Sequence, residues 1–170
     1  MAGREAGGAA AVGLTGGAAE RTVLTSWSPA ETIALGERLG RLAAAGDLVC
    51  LLGELGAGKT QLAKGIARGL GIDDTVNSPT FVLMSEYRGR LPLFHVDLYR
   101  LADAADALAG GVVDERQVDG LTVVEWPDRM GIVLPADRLD VRISGTADEP
   151  RMIELVAGGA RYARYLEAAG

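Results

Sequence analysis

Residues 53–60 read Gly-Glu-Leu-Gly-Ala-Gly-Lys-Thr, so glycines, one ammonium and one hydroxyl fall within eight positions. Glycines let a backbone visit positive φ and approach a ligand with no Cβ in the way. Successive backbone N–H groups then converge on an anion, and a following helix offers the positive end of its dipole. The spacing fits G-x-x-x-x-G-K-[ST], the loop that wraps a nucleotide's phosphates. In that arrangement Lys59 reaches the β- and γ-phosphates and the Thr60 hydroxyl binds Mg²⁺. A chain with 24 glycines makes a chance match easier. The motif, however, also demands a strand before it and a helix after it. Leu48-Val49-Cys50-Leu51-Leu52 reads as a buried strand, Leu62, Ile66 and Leu70 recur at helical spacing, and Gly71 supplies the stop.

A phosphate loop alone hydrolyses nothing, because its metal needs a carboxylate at the C-terminal end of a neighbouring strand. Two apolar runs end that way, Leu93-Phe94-His95-Val96-Asp97 and Leu121-Thr122-Val123-Val124-Glu125. Either acid alone could simply cap the next segment of chain; two in one such chain point to a metal or water ligand. Glu125 ends the cleaner apolar run and is the first choice for Mg²⁺, directly or through water. Asp97 is then the second acid of the metal shell, or the group that orients an attacking water. The catalytic candidates are therefore Lys59, Asp97 and Glu125, and the metal candidates Thr60, Glu125 and Asp97. Ser78-Pro79-Thr80 lies where GTPase-like proteins place a loop that senses the γ-phosphate, although by itself it is an ordinary turn. His95, the only histidine, should share the sheet face of Asp97, as a packed hydrogen-bonded ring or as a catalytic one. Trp126-Pro127 is either a strand stop or an indole beside the metal acid, reporting nucleotide or touching a partner.

The elements that must position these groups can be read from the rest of the chain. With 170 residues, the chain suits one domain: residues 1–20 as a disordered Ala/Gly-rich tail, and 21–170 as a single P-loop domain. A short strand is expected over 21–26. Ser28-Pro29-Ala30-Glu31 announces a helix by a capping box and by Pro29 at its first position, with Ile33, Gly36, Leu39 and Ala43 as its buried face and Gly46 as its end. Residues 80–87 and 91–98 read as strands joined by the tight Arg88-Gly89-Arg90 turn. Helical stretches are expected over 101–109 and 112–118, a strand over 121–126, a late strand pair over 139–144 and 152–156, and a closing helix over 161–169. The fold class is α/β, a P-loop three-layer sandwich with a mixed sheet: a parallel core and an antiparallel hairpin part.

Formal charge is −6 and the pI about 4.8, which argues against a large nucleic-acid footprint on this chain alone. Any RNA phosphates would be met mainly by a partner, and no DNA or membrane contact is expected. Cys50, the single cysteine, has no partner for an internal disulfide and reads as a small core residue. No apolar stretch reaches bilayer-spanning length, and the first residues do not make a signal peptide. The expectation is a soluble, cytoplasmic protein.

Gly53 through Thr60, Ser78-Pro79-Thr80-Phe81, His95-Val96-Asp97-Leu98-Tyr99-Arg100-Leu101 and Val124-Glu125-Trp126-Pro127 occur in that order. Together they resemble the bacterial TsaE (YjeE) family of small P-loop ATPases, over about residues 27–156. The resemblance implies ATP and Mg²⁺ as ligands and a role in making threonylcarbamoyladenosine in tRNAs that read codons beginning with A. It implies TsaD and TsaB as partners, reset by ATP hydrolysis between turnovers, with tRNA met only through that complex. It further implies that Gly56, Ala57, Gly58, Lys59, Thr60 and Gln61 hold phosphates, with Gly53 opening the loop. Thr60 and Glu125 would hold Mg²⁺, and Asp97 would be a further acid needed for hydrolysis. Thr80 would belong to a switch-like loop, and Trp126 and Arg151 would lie near the nucleotide. Gln61 departs from the Thr or Ser usual in the family, leaving Thr60 as the sole hydroxyl of that pair, and residues 103–120 are unusually rich in alanine.

Three functions compete on this sequence. The first is an ATPase, an accessory subunit of a tRNA-modifying complex, weak alone because no arginine is an obvious finger over the phosphates. The second is a P-loop small-molecule kinase, which needs an arginine-bearing lid longer than the Arg88-Gly89-Arg90 turn. The third is a binding module in which nucleotide only shapes a docking face. The absence of an Asn-Lys-x-Asp guanine signature favours adenine.

Overall fold

The computed structural model describes residues 19–79 and 82–170. Its elements in chain order are β1 (Glu20–Ser26), α1 (Pro29–Leu42), β2 (Leu48–Leu52), α2 (Lys59–Gly69), β3 (Met84–Arg88), β4 (Pro92–Asp97), α3 (Ala104–Ala109), β5 (Leu121–Glu125), β6 (Leu139–Ser144), β7 (Arg151–Ala157) and α4 (Ala163–Ala169). The strands form one seven-stranded sheet in the order β1-β7-β6-β2-β5-β4-β3. Strands β6, β2, β5 and β4 are mutually parallel; β1 with β7, β7 with β6, and β3 with β4 pair antiparallel. The hairpin expected at one edge is thus matched by a second antiparallel group at the other.

Strand alternation sends Val49, Leu51, Val123 and Val141 to one face, where Leu35 and Leu39 of α1 and Leu62 and Ile66 of α2 cover them. The opposite face is thinner: Cys50, Val96 and Val124 pack there with Leu98, Ala107, Val112 and Met130. Helices α1 and α2 cross with backbones nearly touching. A Cβ on Gly36 would lie 2.3 Å from the Leu62 carbonyl oxygen, and one on Gly65 would lie 2.1 Å from that of Ile33. That approach fixes the axis of α2, whose N-terminus carries Lys59.

Several local expectations shift for physical reasons. The Ser28 side chain accepts from Glu31 N, but the Glu31 carboxylate reaches past the cap to Trp27 N at 2.7 Å. On α1, Leu35 and Gly40 are buried with Gly36 and Leu39, while Ile33 is only half-buried. The helix ends at Leu42, and Gly46 (φ +82°) instead makes the turn into β2. Strand β3 starts at Met84 because Leu83 sits at φ +64°, outside strand geometry. The stretch 112–118 is not an α-helix. A short 3₁₀ turn over Glu115–Asp119 replaces it, held by a capping box between Asp114 and Gln117. Likewise β5 stops at Glu125, because Trp126 turns to φ 60°, ψ 50° before Pro127. The expected N-terminal tail lies outside the described residues except for its last two, of which Glu20 opens β1.

Candidate functional site

The loop between β2 and α2 turns through left-handed glycines, Gly56 at φ +81° and Gly58 at φ +109°. Gly58 is the N-cap of α2 and offers no side-chain cap. The first helical bond runs from Leu62 N to Gly58 O at 3.0 Å, so the N–H groups of Lys59, Thr60 and Gln61 precede the ladder. That is the orphan-donor arrangement that receives anions at helix starts. Lys59 is almost wholly buried, 5% exposed. Its Nζ donates to the carbonyls of Gly53 (2.5 Å) and Glu54 (3.0 Å) and lies 4.3 Å from the centroid of the Trp126 ring. Burial pushes the Lys59 ammonium below its ordinary pKa, opposed by Glu125, Asp97, Glu54 and Asp128.

The two acids meet beside this loop. In the parallel β4–β5 pairing Asp97 stands opposite Glu125, and Glu125 stands opposite Leu51 of β2 on its other side. Both are buried, Asp97 at 4% exposure and Glu125 at 3%. Glu125 Oε1 contacts His95 Nε2 at 2.8 Å, and His95 Nδ1 has no hydrogen-bond partner. Facing a carboxylate oxygen, Nε2 is the donor of that contact. Asp97 Oδ2 accepts from Ser78 Oγ and Oδ1 from Tyr99 N, the latter at 2.9 Å. The Tyr99 ring packs on Trp126, centroids 4.9 Å apart.

A cleft of about 640 Å³ joins these groups. Gly56, Ala57, Gly58, Lys59, Thr60, Gln61, Asp97, Glu125, Trp126 and Arg151 all line it. Gly53 does not; it sits behind, where a Cβ would meet the Ile143 carbonyl at 2.5 Å, and gives its own carbonyl to Lys59. Thr80 lies outside the described residues. Arg151 is spent on carbonyls: Nε donates to Ala57 (3.0 Å) and Nη2 to Ala147 (3.0 Å) and Gly56 (3.4 Å). Among the described residues no group of three or more His, Cys, Asp or Glu side chains could hold a metal by itself. The candidate oxygen ligands that line the cleft beside the loop include the Thr60 hydroxyl and the two carboxylates. That sparse, hard set suits a cation completed by phosphate oxygens and water, as Mg²⁺ is. Tyr99 and Trp27, also on the lining, were not singled out from sequence. The alternation of β4 beyond Asp97 offered a signal for the first, and nothing local marked the second.

A glycine loop between a central parallel strand and a helix, with acids closing the adjacent strand β5 and the next strand β4, defines a P-loop fold of nucleotide-binding type. The comparisons agree. A family model described as "Threonylcarbamoyl adenosine biosynthesis protein TsaE" matches residues 26–153, and the chain belongs to that family. It is similar to the "tRNA threonylcarbamoyladenosine biosynthesis protein TsaE" of Bacillus subtilis, 42% identical over 136 residues (79% of this chain, 85% of the relative). The protein of the same name from Streptomyces coelicolor is 43% identical over 136 residues, 76% of this chain and 92% of the relative. The crystal structure of Bacillus subtilis YdiB superposes with TM-score 0.74 at 34% identity, covering 91% of this chain and 97% of that one.

Proposed function

We propose that this chain binds MgATP in the cleft and hydrolyses it, as an accessory subunit of the system that makes threonylcarbamoyladenosine in tRNA. The observation that carries the proposal is the meeting of Lys59 and Thr60, on the loop, with Asp97 and Glu125, paired at the ends of β4 and β5. Thr60 and Glu125, with Asp97 in reserve, would hold Mg²⁺, which would supply positive charge against the charge that develops on the phosphates. Lys59 exchanges its two loop carbonyls for phosphate oxygens and stabilises the charge that develops on them. Asp97, pinned by Ser78 and Tyr99 N, orients the water that attacks the γ-phosphorus. The products are ADP and phosphate. Trp126 shields Lys59 from bulk water.

Partner dependence stems from a gap in the cleft. Arg151 is the arginine on its described lining, and its guanidinium is tied to the loop, so no arginine there is placed to stabilise the leaving charge. TsaD and TsaB are the partners that the family points to, and turnover would reset their complex in the cytoplasm. No described helix is long and apolar enough to cross a membrane. A kinase reading needs a lid, and the Arg88–Arg90 turn is not one: Arg90 Nη2 is bonded to the carbonyls of Gly40 (2.9 Å) and Ala43 (3.0 Å) at the end of α1. ATP turnover by the purified chain, with and without TsaD and TsaB, tests the proposal. Phosphate release without any small-molecule acceptor, raised by the partners and lost in Lys59→Ala, is expected. Normal turnover by Lys59→Ala would overturn it.

A further inference from the structure

We propose that Trp27 is the stacking platform for the base of the bound nucleotide, which lies between that indole and the turn joining β6 to β7. The proposal rests on the nucleotide reading above and adds the subsite that the loop and acids leave undefined.

The sheet order fixes where a base must go. Strand β2 delivers the loop; on one side of it lie β5 and β4, which carry the acids, and on the other β6, β7 and β1. The terminal phosphate belongs with Lys59 and the acids, so the α-phosphate, ribose and base extend toward the other flank. On that flank the cleft is lined by Trp27, Pro29, Ala147 and Arg151. Ser26 and Arg151 are register partners in the β1–β7 ladder, so Trp27 leaves the sheet where the β6–β7 turn enters it. Arg151 then ties that turn to the loop through Gly56 and Ala57.

Trp27 itself is poised for a ligand. It is 73% exposed, yet its backbone is held: its N–H donates to Glu31 at 2.7 Å, and Ser28 caps α1 directly after it. An indole fixed at its root and bare on its faces at the rim of a cleft loses little entropy when a base covers it. Stacking of this kind tolerates any base, since every base has a π-face. Specificity for adenine would have to come from other groups.

Calorimetry on the full chain tests the assignment, with ADP and with tripolyphosphate, which keeps the phosphates and lacks the base. Native, Trp27→Ala and Trp27→Phe proteins are compared, and circular dichroism confirms that each is folded. Trp27→Ala should weaken ADP binding about tenfold and Trp27→Phe should largely restore it, while all three bind tripolyphosphate alike. Unchanged ADP affinity in Trp27→Ala would overturn the proposal, as would an equal loss of tripolyphosphate affinity. If the native chain binds neither ligand, the nucleotide site fails first and this subsite falls with it.

Discussion

The two ends of β2 each bury acid, and they treat it oppositely. At the start of the strand the Asp47 side chain is wholly buried. Its Oδ1 meets Arg161 Nε at 2.8 Å, and its Oδ2 receives Arg164, the Tyr165 hydroxyl and Ala44 N. Two guanidiniums answer one carboxylate, and the α4 region is clamped to the sheet. At the other end Asp97 accepts from Ser78 Oγ and Tyr99 N, and Glu125 contacts His95 Nε2. The nearby cation, Lys59, spends its hydrogen bonds on loop carbonyls. A buried carboxylate saturated by cations is finished structure. A buried pair that opens onto a cleft beside the Thr60 hydroxyl is, on the function proposed above, where an added cation would sit.

Substitutions should separate these ends cleanly. Lys59→Ala is expected to lower ATP turnover about 10³-fold with the thermal transition intact, measured by phosphate release and calorimetry. Asp47→Ala should do the reverse: it strips the donors of their acceptor and costs about 3 kcal/mol of stability, read in urea, while nucleotide affinity persists. If Asp47→Ala abolished turnover without loss of stability, the contrast between the ends would be broken. His95→Leu sharpens it further. Without the Nε2 donor, the Glu125 carboxylate is free to turn, and the Mg²⁺ concentration for half-maximal turnover should rise about tenfold.

Smaller effects come from burial. Folding lowers the Lys59 pKa, so below the unfolded value of about 10.4 the unfolded chain holds that proton more tightly. Unfolding free energy therefore rises with pH in the window just under that value. Lys59→Met should remove this rise and modestly stabilise the ligand-free chain at neutral pH, which paired titrations of stability will check. Burial, with Asp140 nearby, pushes the Cys50 thiol up to about 12. It should resist iodoacetamide at pH 8 until the chain unfolds.

Much of this was legible in the residues where chemistry is local. The apolar run 48–52 ends in glycines, and β2 has those bounds. The acids at 97 and 125 close apolar runs, and a parallel pairing puts such ends side by side. The Asp47 cluster left no comparable trace. Its partners lie more than a hundred residues away, at Arg161, Arg164 and Tyr165, and nothing in their spacing announces a carboxylate. The pairing of β1 with β7 is equally non-local, and with it the flank that brings Trp27 and Arg151 to the cleft. The stretch 112–118 misleads because its apolar residues suggest a helical period. Gln117 instead folds back onto Asp114 N (3.3 Å) and the Val112 carbonyl (2.8 Å) and holds a single turn.

The central claim is that a loop hydroxyl and a strand-end carboxylate share one cation beneath a triphosphate. Mn²⁺ affinity, measured by electron paramagnetic resonance in the presence of a non-hydrolysable ATP analogue, addresses it directly for native, Thr60→Ala and Glu125→Ala proteins. The account predicts that each substitution weakens Mn²⁺ binding at least about tenfold while the analogue still binds. Equal Mn²⁺ affinity in all three proteins would contradict it.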